Sequence, residues 1–181
     1  KIKKLSLHGI TKDGWNRFKR DGNWEYDIVE MGYKYNLTDY AACFGLWQMN
    51  QIEKWQLRRD EIVKKYINGL NHIDSILLPK VKKGHSKHLF VIRLDLDKWS
   101  ISRNIFIEKM NKKGIGLAVH YKPLHQLSYY KNKYQFKIDN FQNANLLYES
   151  IISLPIYPKL SDSSLDQIIN SITELHDMYS K

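Results

Sequence analysis

Apolar residues return at helical intervals over one long stretch of the chain. From Ala42 they recur at Leu46, Met49, Ile52, Trp55, Ile62, Tyr66 and Leu70, in steps that put them on one face of an α-helix. Thr38 or Asp39 is suited to accept from the first unpaired backbone N–H groups, and Gly69 is a stop signal. One long amphipathic helix is therefore predicted as the spine of a small domain.

Beyond it, Pro79 and the run from Lys80 to Lys87 mark a break, and HLFVIRLDLD from His88 alternates as a strand. Its Phe90, Ile92 and Leu94 share one face, and Leu89, Val91, Arg93 and Asp95 the other. Ser102 is placed to cap a short helix carrying Ile105, Phe106 and Met110, closed by Gly114. GLAVHY, Gly116 to Tyr121, reads as a second strand that Pro123 ends, and KPLHQLSYYKNKYQ reads as a loop. A third helix is predicted over 140–152, with Ala144, Leu147 and Ile151 inward, stopping at SLPIYP where two prolines force extended chain. Ser161 caps a last helix, docked by Leu165, Ile168, Ile169, Ile172 and Leu175. Strand, helix and strand in that order make a layered unit in which helices cover a sheet.

Upstream of the spine, residues 1–30 show neither period and read as loop, with Trp15 and Trp24 expected to pack against something. So irregular an opening suggests a chain that begins in the middle of a larger architecture.

Composition narrows the function classes. The 181 residues carry a net charge of +10, with lysines and arginines scattered from end to end, which suits anionic small molecules or plain solubility at least as well as nucleic acid. The single cysteine, Cys43, excludes a disulfide framework and reads as a buried, inert thiol among alanines. No apolar run is long enough to cross a bilayer, and KIKKLSLHGI is too short and polar for a secretory signal. A soluble, cytoplasmic protein with no membrane partner is expected.

Two places can carry chemistry. Lys34 and Asn36 sit in the turn that enters the long helix, where unpaired N–H groups and the positive end of the dipole favour an anion such as phosphate; the competing reading is a turn-shaping Asn36 and a solvated Lys34. His120-Tyr121-Lys122-Pro123-Leu124-His125 ends the second predicted strand and is followed by Tyr129 and Tyr130, a donor set suited to hydroxyls and phosphates, although packing explains these residues too. Zinc-type spacing is absent among the seven histidines, so no metal is expected. Nor is there a glycine-rich phosphate loop, a GxSxG elbow or an HExxH motif. YYKNKYQFK interleaves lysines and aromatics in a way that can stack single-stranded nucleic acid, but a solvated loop accounts for it equally.

The order of segments LSLHGI, GYKYNLTDYAACFGLWQ, RRDEIVKKY, HLFVIRLD, SRNIFIEKMNKKGIGLAVHYKPLH and SLPIYP closely resembles the C-terminal half of the DegT/DnrJ/EryC1/StrS sugar aminotransferases, over essentially the whole chain. The resemblance implies a fold type I enzyme using pyridoxal 5'-phosphate, a homodimer with active sites shared between subunits, and a nucleotide-linked keto sugar aminated at the expense of glutamate for surface polysaccharide or lipopolysaccharide. It implies an α+β domain in which the long linking helix and short C-terminal helices pack on a small, mainly antiparallel sheet. Residues 1–37 would be the end of the large domain and an active-site loop, 38–70 the linking helix and 71–181 the small domain.

By the same resemblance Asn36 first, then Lys34, approach the cofactor phosphate across the dimer, while His125, Tyr121 and His120 lie on the substrate side. His8 and Gly9 match a step just after the family's cofactor-lysine segment and have a structural role. That lysine, in a Ser-x-x-Lys context followed by Glu-Gly-Gly, has no counterpart among these residues, so no catalytic residue is assigned and the chain alone is expected to be inactive. Partners are then a second copy or a complementing N-terminal half, with no nucleic acid. The alternative is a non-catalytic binding or dimerisation module that keeps the family fold.

Overall fold

The computed structural model describes residues 1–11 and 26–181; Trp15 and Trp24 lie outside the described residues. The chain divides into two compact units, Lys1–Ile52 and Glu53–Lys181.

In the first unit the opening residues are ordered by main-chain pairing. A single helical turn, α1 (Ile2–Leu5), leads into antiparallel bridges between Leu7 and Lys34 and between Ile10 and Ile28. Leu7 and Ile10 are buried, so the stretch expected to be all loop holds a small core of its own. Gly9 has a φ of +75°, and a Cβ there would lie 1.8 Å from the Glu30 carbonyl oxygen; only glycine lets these backbones meet.

The spine is present as one helix, α2 (Asp39–Leu70), and the boundary between the units falls inside it. Thr38 is its cap: its Oγ1 accepts from the Ala41 N–H at 3.3 Å and its carbonyl from the Ala42 N–H at 2.9 Å. The expected apolar stripe behaves differently along its length. Ile62, Val63, Tyr66 and Leu70 are buried, whereas Leu46, Met49 and Ile52 are exposed. Cys43 is exposed too, correcting its reading as a buried thiol: among the described residues no packed layer covers this part of the helix, where Phe44 is 70% exposed.

The second unit is built on a three-stranded antiparallel sheet in the order β1 (Ile76–Leu77), β2 (Phe90–Leu94), β3 (Ile151–Leu154). Register is set by Ile76 opposite Leu94 and by Ile92 opposite Ile152. Alternation in β2 works as expected, with Phe90, Ile92 and Leu94 all buried. On the core face Tyr66 stacks on Phe90 at 5.0 Å and Trp99 meets Phe106 edge-on at 5.3 Å. Helix α3 (Arg103–Lys112) is capped by Ser102, whose Oγ accepts from the Ile105 N–H, and ends before Gly114 at a φ of +77°. Helices α4 (Ser128–Tyr134) and α5 (Gln142–Ser150) precede β3. Helix α6 (Asp162–Tyr179) closes the unit, with the Ser161 Oγ accepting from the Ser164 N–H at 3.1 Å and Leu165, Ile168, Ile172 and Leu175 buried.

Three expectations change. The expected strand over 116–121 does not form, and β2 is flanked instead by β1 and β3; GLAVHY touches the sheet by one bridge, Ala118 to Ser153. The third helix stops at Ser150, whose Oγ donates to the Leu146 carbonyl at 2.9 Å, drawing off a main-chain acceptor as the helix ends. Finally, the segment after Pro123 is not all loop but holds a 3-10 turn, Leu124–Gln126, and α4.

Candidate functional site

Each unit carries one of the two groups of candidate residues. In the first, the main chain of 33–35 is held to that of 5–8: the Tyr33 N–H donates to the Leu5 carbonyl and the Tyr35 N–H to the Ser6 carbonyl, both at 2.7 Å. In such extended chain alternate side chains share a face. Tyr33 and Tyr35 stack on each other, 5.0 Å apart and nearly parallel at 4°, and Lys34 and Asn36 follow them in sequence by one position each. Both are exposed, and neither makes a side-chain hydrogen bond or ion pair with a described residue. A cation and an amide just ahead of the N-terminus of α2 are chemically suited to an oxyanion. Asp39 in the first turn places a negative charge against that preference.

In the second unit the loop from His120 to His125 is fixed by contacts that the sequence pattern does not announce. Nδ1 of His120 is hydrogen-bonded to Oγ of Ser153 at 2.8 Å, and its ring meets Tyr121 edge-on at 4.7 Å. Ser153 is buried in β3, and the Ala118 bridge to it brings the loop there. With Nδ1 held, Nε2 of His120 makes no hydrogen bond to a described residue. Tyr121 is 73% exposed.

His125 sits differently. It is only 4% exposed, its ring lies on Phe141 at 4.3 Å, and Nε2 donates to Oδ1 of Asn145 at 2.7 Å. Gln126 Nε2 donates to the same oxygen at 2.7 Å. His125 thus anchors the loop, while the Tyr121 side chain is exposed and His120 keeps Nε2 without a hydrogen bond to a described residue. Ser153, Asn145 and Phe141 are the residues missed by sequence reasoning. Of these only Ser153 carried a signal, a lone hydroxyl within the apolar run IISL.

Among the described residues no group of three or more His, Cys, Asp and Glu side chains is placed to hold a metal ion, and no helix is long and apolar enough to cross a membrane.

The model of the DegT/DnrJ/EryC1/StrS aminotransferase family matches residues 1–173. An uncharacterized protein of Methanocaldococcus jannaschii is 40% identical over 177 residues, 97% of this chain and 46% of its own length. The spore coat polysaccharide biosynthesis protein SpsC of Bacillus subtilis is 35% identical over 178 residues, again 97% of this chain and 46% of SpsC. Among solved structures, Spr1654 of Streptococcus pneumoniae, described as a sugar aminotransferase and seen in its PMP form, superposes with a TM-score of 0.81 at 37% identity, covering 98% of this chain and 44% of Spr1654. The chain therefore spans about half the length of the relatives it matches.

Proposed function

This chain belongs to the DegT/DnrJ/EryC1/StrS aminotransferase family, of which it is a C-terminal part, and from that premise we propose that it is the small domain, with its linking helix, of an enzyme that aminates nucleotide-linked keto sugars. Glutamate is the amino donor, the product feeds surface polysaccharide or lipopolysaccharide synthesis, and the enzyme works in the cytoplasm. Residues 1–37 then form the end of the large domain and an active-site loop, 38–70 the linking helix and 71–181 the small domain. The observation that supports the reading is that Lys34 and Asn36, exposed and without side-chain hydrogen bonds or ion pairs to described residues, lie in a segment held to residues 5–8 by main-chain hydrogen bonds just ahead of α2.

Pyridoxal phosphate, when bound, supplies the chemistry that takes up an amino group from one substrate and releases it to another. Asn36, through its amide, and Lys34, through its positive charge, are the residues that would hold its phosphate, contributed to the neighbouring subunit of a homodimer. Tyr121 and His120 hydrogen-bond sugar hydroxyls or the diphosphate. His125 serves the substrate side by holding their loop. No lysine of this chain has a catalytic role, so the chain alone does not transaminate, and a complementing N-terminal half is needed.

Intact mass after incubation with pyridoxal phosphate and borohydride tests this. The chain alone is expected to show no stoichiometric adduct, and mixing it with the complementary half of a full-length relative is expected to yield glutamate-dependent amino transfer. An adduct on a single lysine of this chain, or a mixture that assembles with bound cofactor yet transfers no amino group, overturns the proposal.

A further inference from the structure

Helices α3 and α5 bring ends of opposite polarity to one pocket. Its volume is about 380 Å³ and its lining includes Leu96, Ile101, Ser102, Arg103, Asn104 and Glu149, a size in the range of small-molecule sites. Helix α3 begins here. Ser102 takes the Ile105 N–H on its Oγ and the Phe106 N–H on its carbonyl, while the N–H groups of Arg103 and Asn104 have no acceptor among the described residues. Helix α5 ends here, with Glu149 in a last turn that holds no basic residue. The positive end of one helix dipole and the negative end of the other thus border the same space.

The charged side chains divide in the same way. Arg103 is 6% exposed and its guanidinium is held in place: Nε donates to the Asn104 Oδ1 at 2.8 Å, Nη1 to the Ile151 carbonyl at 3.2 Å, and the centre of the Tyr148 ring lies 5.0 Å from Cζ. All of these partners are neutral. Nη2 has no acceptor among the described residues, yet it is not shut off from solvent as the Nε atoms of Arg59 and Arg93 are. A buried guanidinium without a counter-ion is costly, and a carboxylate supplied from outside offsets that cost. Glu149, the one acid in the lining, is exposed and forms no ion pair with a described residue. It would repel a simple anion, as Arg103 would repel a simple amine. A small molecule with both charges satisfies each.

We propose that this pocket binds a free α-amino acid with an apolar side chain. Its carboxylate meets the Arg103 guanidinium and the open N-terminus of α3, its ammonium meets Glu149 at the end of α5, and its side chain lies against the half-buried Leu96 and Ile101. The pocket and its charges carry this independently of the aminotransferase reading.

The test is titration of the 181-residue chain with L-leucine, isocaproate, isoamylamine and L-glutamate, followed by calorimetry and by NMR shifts. Leucine is expected to bind one-to-one, with shifts centred on the amides of Arg103, Asn104 and Glu149. Isocaproate lacks the ammonium and isoamylamine the carboxylate, so each is expected to bind about tenfold more weakly, the scale of one charge-assisted hydrogen bond. Glutamate, whose second carboxylate would face Leu96 and Ile101, is also expected to be weaker than leucine. Glu149→Gln is expected to weaken leucine about tenfold and to leave isocaproate no weaker, whereas Glu108→Gln, at an exposed side chain elsewhere on α3, is expected to change neither. Leucine binding that does not saturate, or that Glu149→Gln leaves unchanged or Glu108→Gln weakens equally, would overturn the proposal. So would isocaproate, isoamylamine or glutamate binding as tightly as leucine, or shifts centred on His120 and Tyr121.

Discussion

Replacing Tyr66 by phenylalanine removes one oxygen atom from the middle of the second unit. The side chain is fully buried, its ring stacks on Phe90, and its hydroxyl donates to the Pro155 carbonyl at 2.8 Å. Phenylalanine keeps the stacking and the volume, so only the hydrogen bond is lost and the Pro155 carbonyl is left without that donor. The cost is about 1–2 kcal/mol near pH 7, between the net value of a buried hydrogen bond and the penalty of an unsatisfied acceptor. Burial pushes the Tyr66 phenol well above its ordinary pKa of 10.0. The unfolded chain therefore loses this proton first as pH rises, and the wild type loses stability above pH 10 at about 1.4 kcal/mol per pH unit until the folded-state phenol also ionises. The variant has no proton to lose at this position, and the other tyrosines are common to both proteins. The stability gap should hence shrink from its value at pH 7 to about zero near pH 11. Urea denaturation of both proteins at pH 7, 10 and 11 measures it. A gap below about 0.5 kcal/mol at pH 7, outside the range for a buried hydrogen bond, or one that does not close at pH 11, would refute the reasoning.

Other perturbations test other parts of the molecule. Ser161→Ala removes the cap of α6 and should cost about 1 kcal/mol by thermal or urea unfolding, with Ser161→Asp retaining most of it. The Arg58 guanidinium, 2.7 Å from the Asp162 carboxylate, holds that carboxyl below its ordinary range. Its contribution is present above the unfolded-state value of 3.8 and is lost as pH falls through the lower folded-state value, so Arg58→Met should move the Asp162 titration seen by NMR upward. In the complemented enzyme Asn36→Ala should weaken pyridoxal phosphate binding about tenfold, the scale of one hydrogen bond to a charged group, without changing the unfolding midpoint of the chain alone. Loss of stability there would mean that Asn36 holds the turn instead.

Sequence was most informative where one periodicity served one environment. The α2 stripe from Ile62 to Leu70, the alternation of β2 and the serine caps of α3 and α6 all lie in a single packed layer, and local pattern and tertiary burial agree. The amino-terminal half of α2 obeys the same period, yet Leu46 and Met49 are exposed, because a repeat shows that a face can be buried and not that a partner layer exists among the described residues. GLAVHY has strand propensity but only Ala118 pairs; ladder membership depends on neighbours distant in sequence. At the candidate site His120, Tyr121 and His125 look alike as polar residues in one loop. What separates them is Ser153 beneath one imidazole and Phe141 and Asn145 against the other, all of them far along the chain.

Helix α5 passes into β3 with no residue between, from Ser150 to Ile151. Most of the connections in this unit can absorb an inserted or deleted residue by adjusting a loop; this one has no slack. A single insertion at the junction would slip β3 by one position and exchange its faces, sending Ser153 to where Leu154 packs and taking its hydroxyl away from His120. Variation in length among homologues should therefore collect in the lysine-rich connection before β2 and be rejected at 150–151, where the count of residues, more than their identity, decides whether sheet and loop meet.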